Sequence, residues 1–219
     1  MENRERLTRA IDRAQHERAV FLGKIEGLSQ AQLDFRPARN AWSIGQIAHH
    51  VGLAEGVWQG YLSSVLKAGA SKKEATLRVS LQEVPFSARL IPDFILRNPF
   101  VLGPLSMVVN LLPRPFHSML FAVPLIKMDS GPRMQPRHGM SRGQLLKLLD
   151  ETRKEMLAIL DPAAGWDLTR FRVVHPLVGD QDPYGILELI ASHDQRHSQQ
   201  VGSITKNSDF PPVREDRKS

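Results

Sequence analysis

Four separate stretches of this chain repeat apolar residues at helical spacing, and three of them open on residues that cap a helix. That pattern leaves few folds other than helix packed on helix. Residues 2–28 carry Leu7, Ile11, Ala14, Val20, Phe21, Ile25 and Leu28 on or near one side and charges on the other, until Leu33 to Asn40, with Pro37, breaks the run. Ser43 followed by Gln46 is a Ser-x-x-Gln pair, in which each side chain satisfies a free backbone N–H of the other, so a second helix starts there and runs to about Lys67, ahead of Gly69. Ser141 and Gln144 repeat the signal before Leu145, Leu149, Met156 and Leu160, and Pro162 closes that helix. Asp182 and Pro183 form an N-cap and first-turn pair for a fourth helix through Ile186, Ile190, Val201 and Ile204. No hairpin signal stands out, so the expectation is an all-α antiparallel four-helix bundle with one short extended piece at Phe171 to His175.

Composition narrows the chemistry. The 219 residues include no cysteine, which excludes disulfides, thiolate metal sites and cysteine nucleophiles and leaves nitrogen and oxygen as metal donors. The charged start, Met1 to Arg9, has no signal-peptide character, which points to the cytoplasm. The net charge of +6 is scattered among acidic neighbours, with no nucleic-acid-reading motif, so DNA and RNA are not expected partners.

One stretch differs from the rest. Between the second and third helices, residues 78–137 hold Pro85, Pro92, Pro99, Pro104, Pro113, Pro115, Pro124, Pro132 and Pro136, five phenylalanines, and seven basic residues against three acidic. It cannot be one regular helix, and its longest uncharged part, Asn98 to Pro113, is too short and too broken for a membrane span. Four roles stay open for this insert: packing on the bundle, covering a site, burial against a partner such as a second copy, or peripheral membrane contact. A single domain over residues 1–208 and a loose tail over 209–219 complete the layout.

His193 and His197 stand four apart on the fourth helix and fall on its apolar side, where buried imidazoles need partners. His50, three after Ile47 and four before Ala54, faces the core from the second helix. Together they form a three-nitrogen set suited to zinc, nickel or iron with at least one position left for water or substrate. His175, Glu55 and Glu188 remain as alternative donors, and Gln46, His49 and Gln200 as residues around the ligands. Gly45, Gly52, Gly56 and Gly60 line one flank of the second helix, for close helix packing or for a ligand. Trp42, Trp58 and Trp166 read as core anchors rather than substrate platforms.

Two separated motifs resemble the DinB/YfiT-like superfamily: Trp42-Ser43 with His50 eight residues after the tryptophan, and His193-x-x-x-His197-x-x-Gln200. His175-Pro176-Leu177-Val178-Gly179 also looks like the His-Pro-x-x-Gly turn of many members. The resemblance implies an up-down-down-up four-helix bundle holding a divalent metal on His50, His193 and His197. It also implies a choice of chemistries, since members include thiol-dependent transferases and isomerases and others described as metal-dependent hydrolases. Three functions follow as expectations: a thiol-dependent S-transferase or isomerase acting on a small-molecule electrophile with a low-molecular-weight thiol, a hydrolase using metal-bound water, or a binding module that forms a homodimer through the insert.

Overall fold

The structure, a computed structural model, describes residues 2–80, 132–176 and 178–212. It is predominantly helical. The long helices are α1 (Glu2–Ile25), α3 (Ile44–Ala68), α4 (Arg142–Leu160) and α5 (Pro183–Ile204), with a five-residue α2 (Gln30–Asp34) between the first two. Their starts follow the capping signals closely. Ser43 Oγ accepts from the Gln46 N–H while the Gln46 side chain accepts from the Ser43 N–H, and Ser141 and Gln144 do the same. Asp182 accepts from the Gly185 N–H with Pro183 in the first turn. The region expected only to break the first helix contains its own capping box, Ser29 with Gln32, which opens α2.

Helix α1 packs along α5, and α3 packs on both α4 and α5. Two apolar clusters result. One joins Phe21 and Ile25 of α1, Ile44 to Val51 of α3, Leu145 and Leu149 of α4, and Val201 and Ile204 of α5. The other joins Leu7 and Ala14, Leu62 to Leu66, Met156 and Leu160, and Ile186 to Ala191. Each large side chain fully buried in these clusters contributes roughly 1.5–3 kcal/mol relative to exposure.

A three-stranded sheet caps the second cluster and amends the all-α expectation. Strand β1 (Ala75–Arg78) lies parallel to β2 (Phe171–His175), with Ala75 opposite Phe171, and β3 (Gly179–Gln181) pairs antiparallel with β2, with Val173 opposite Gln181. Along β2, buried Phe171, Val173 and His175 alternate with partly exposed Arg172 and Val174, the period of a strand with one face on a core. The extended piece expected at Phe171 to His175 is therefore half of a hairpin, turned at Gly179, whose φ of 73° disfavours other residues. Gly69, at the end of α3, is also constrained: a Cβ there would lie 2.6 Å from the Phe171 ring and 2.7 Å from the Glu74 carbonyl oxygen.

Of the glycines on α3, a Cβ at Gly45 would meet the Leu33 carbonyl oxygen at 3.3 Å and one at Gly52 would meet Leu148 at 2.8 Å, so these two serve close packing. Among the described residues nothing comes within 4 Å of a Cβ at Gly56 or Gly60. Beyond α5 the chain is anchored as far as Pro211, since the Phe210 ring meets Phe35 edge-on at 5.4 Å and Gln32 Nε2 donates to the Pro211 carbonyl at 2.8 Å. The rest of the expected tail, and residues 81–131 of the insert with all its phenylalanines and Asn98 to Pro113, lie outside the described residues. No described helix is long and apolar enough to cross a membrane.

Candidate metal centre

Each of the four long helices places one charge between the two apolar clusters. Arg18 of α1 donates to Asp194 of α5 (Nε to Oδ2, 2.9 Å) and to Glu55 of α3 (Nη2 to Oε2, 2.6 Å). Arg153 of α4 donates to the same two carboxylates (Nε to Glu55 Oε1, 2.8 Å; Nη2 to Asp194 Oδ2, 3.2 Å). Each guanidinium also donates through Nη1 to a backbone carbonyl, Arg18 to Leu149 and Arg153 to Ala14. Two cations meet two anions, so this buried layer is neutral and internally paired. Glu55 is thereby committed to arginines rather than to a metal, and Glu188 pairs with Arg13 at the surface.

On the first-cluster side of this layer, His50, His193 and His197 come together. Residue spacing predicts this much, because α3 and α5 pack side by side and residues four apart on α5 share a face. His193 Nε2 lies 3.3 Å from His50 Nε2 and 3.1 Å from His197 Nε2. His50 and His197 are buried and His193 is partly exposed, so the cluster reaches solvent on one side.

The outer nitrogens fix which way the inner ones are protonated. His50 Nδ1 lies 3.1 Å from the Met134 carbonyl, which can only accept, so the proton sits on Nδ1 and Nε2 presents a lone pair. His197 Nδ1 likewise donates to Gln200 Oε1 at 2.8 Å. Two bare Nε2 atoms therefore flank the Nε2 of His193, which can donate one hydrogen to one of them at most. At least one of the short contacts sets lone pair against lone pair unless something positive lies among the three. An ion bound tetrahedrally at 2.0–2.1 Å from each nitrogen spaces its ligands about 3.3–3.4 Å apart, close to the separations found here.

Burial holds these imidazoles neutral, the form that binds metal. It pushes His197 down to about 3, with His50 and Arg196 adding to the effect despite the Gln200 hydrogen bond. It carries His193 well below the ordinary range, helped by both neighbouring histidines and by the guanidiniums of Arg196 and Arg18. It also lowers His50, against the opposing Met134 hydrogen bond.

The other candidates divide cleanly. Gln200 orients His197, whereas Gln46 is used by the capping box. His49 accepts from the Arg137 N–H through Nδ1 at 2.8 Å and is not one of the three that meet. His175 sits apart, its ring 5.5 Å from Trp58 and 6.1 Å from Tyr61, and burial pushes it down to about 4. Trp58 and Trp166 pack on the second cluster as expected, but Trp42 packs on the first and also sets its ring 4.9 Å from His50, beside the site. Spacing gives no hint of Met134 or Arg137, 84 and 88 residues from their partners. Arg196 was legible in principle, because a residue between His193 and His197 on one helix stays near both.

Residues 13–201 match the family model of the DinB superfamily. No curated protein and no solved structure matches the chain.

Proposed function

The chain belongs to the DinB superfamily, and from that membership and its histidine cluster we propose that it is a metalloenzyme holding one divalent ion through His50, His193 and His197. The observation that carries the reading is the convergence of three neutral Nε2 atoms, two with their lone pairs fixed inward by Met134 and Gln200. Zinc or nickel suits this all-imidazole set best, and iron is compatible with it. The four long helices are read as an up-down-down-up bundle, in which α1 and α5 run one way and α3 and α4 the other, as their shared clusters suggest.

Within that frame the reaction is a thiol-dependent transfer or isomerisation of a small electrophile. A divalent ion at this site supplies Lewis acidity that favours the thiolate of a bound thiol, or lowers the pKa of a bound water. The protein's own part is to hold the three imidazoles neutral and correctly turned, with Trp42 packed against His50, and to add positive potential from Arg196 that favours an anionic nucleophile. Because the sequence has no cysteine, the thiol comes from solution.

The test is turnover of an aryl halide by zinc- or nickel-reconstituted protein with and without a low-molecular-weight thiol. Turnover that requires the thiol and disappears in His193→Ala supports the reading. Thiol-independent release of an acid from an ester, lost in the same variant, replaces transfer with hydrolysis.

A further inference from the structure

Two consecutive histidines of α3, both buried, bond to one six-residue stretch in opposite senses. His50 donates through Nδ1 to the Met134 carbonyl, and the Arg137 N–H donates to His49 Nδ1. Residues 132–137 are the part of the proline-rich insert that rejoins the helices, beginning with a 3₁₀ turn at Pro132–Met134 that packs on α3. The backbone oxygen that sets the protonation and direction of His50 therefore belongs to this 3₁₀ turn and not to one of the four long helices. Three residues on from Met134 the same stretch is held to α3 a second time, by the Arg137 N–H bonded to His49.

We propose that His49 is a positioning residue for the metal centre: by gripping the Arg137 amide it holds the Met134 carbonyl against His50, so that the stem of the insert is part of the site. The proposal rests on the metal reading above. It gives the adjacent His49-His50 pair a division of labour, one ring toward the ion and the other toward the loop that orients the first. Partners that orient a metal-bound histidine typically change metal affinity by roughly 10–100-fold when lost. It also means that displacement of the stem registers at the metal, whereas the Gln200 contact to His197 lies within one helix and does not depend on the insert.

The test uses the full chain and two readouts. His49→Phe keeps the ring volume and removes the acceptor; His49→Asn keeps an acceptor, Oδ1, at the same position along the side chain as Nδ1; Arg137→Pro removes the donor. Zinc affinity, measured against a chromophoric chelator, is expected to fall roughly tenfold or more in His49→Phe and Arg137→Pro and to stay within about threefold of the unaltered protein in His49→Asn. Exchange of the Arg137 amide in metal-free protein is expected to speed up in His49→Phe and to stay slow in His49→Asn. Folded His49→Phe and Arg137→Pro proteins with unaltered zinc affinity overturn the proposal. If the unaltered protein takes up no zinc, the metal reading fails, and the positioning role with it, whereas Arg137 exchange still reports the contact: equal rates in the unaltered protein and His49→Phe overturn that as well.

Discussion

The interior of this protein buries polar groups in two adjacent places and satisfies them in opposite ways. In the layer of Arg18, Glu55, Arg153 and Asp194 every charge finds its complement within the protein, and each guanidinium also reaches one backbone carbonyl. In the cluster of His50, His193 and His197 the outer nitrogens of two rings are satisfied, while the Nε2 of His193 lies at hydrogen-bonding distance from the Nε2 of both others with one hydrogen at most to give. Since buried polar groups are costly unless paired, the first arrangement offsets its charges within the protein, whereas the second could hold a metal ion, and the proposed function rests on that difference.

The charged layer, as a structural element, carries the largest expected effect. Glu55→Ala leaves two buried guanidiniums sharing one carboxylate, and urea unfolding is expected to show a loss of about 3–5 kcal/mol. Zinc bound per folded chain should not change. A loss below about 1 kcal/mol would mean that water or side-chain movement rescues the layer and that it is no tighter than a surface pair.

A second effect, about 3 kcal/mol, concerns His175, which lies outside both groups and whose burial lowers its imidazole pKa. Its folded pKa of about 4 lies below the ordinary value of 6.5, so the folded state binds fewer protons than the unfolded one between these values. The stability it allows is fully present above about pH 6.5 and is lost as pH falls toward 4, by about 3 kcal/mol at most. His175→Gln should flatten that part of the acid limb, seen as a smaller drop in unfolding free energy between about pH 7 and pH 4.5 than in the unaltered protein. Parallel curves would show that burial does not hold the imidazole neutral.

The smallest effect sharpens the metal side. Gln200→Leu removes the acceptor for the His197 Nδ1 hydrogen, and zinc affinity is expected to weaken roughly tenfold while unfolding stability moves little. The reverse outcome, unchanged affinity with lost stability, would place Gln200 with the packing.

Much of this was legible in the sequence because it is local. Ser43 with Gln46, Ser141 with Gln144, and Asp182 with Pro183 mark helix starts within one turn, and His193 and His197 reveal their shared face by spacing. The charged layer was not legible: it takes one residue from each long helix, and Arg18 and Asp194 are 176 residues apart, so each alone looks like part of a solvated face. The sheet was legible only in part, since the extended piece expected at Phe171 to His175 is β2 while β1 and β3 went unread. Strands of three or four residues carry almost no period of their own, and β1 pairs with β2 from far along the chain. Helix α2, five residues long, is likewise too short for periodicity, although its capping box was there to be read.

The most direct test of the contrast is metal content. Protein purified without a chelating tag or chelator, stripped and then reconstituted with zinc or nickel, is compared with His197→Ala by elemental analysis and thermal unfolding. The account predicts close to one ion per chain in the unaltered protein, a higher unfolding temperature with metal than without, and loss of both in a variant that stays folded. Reconstituted protein that holds no ion and melts at the same temperature with and without metal would contradict it.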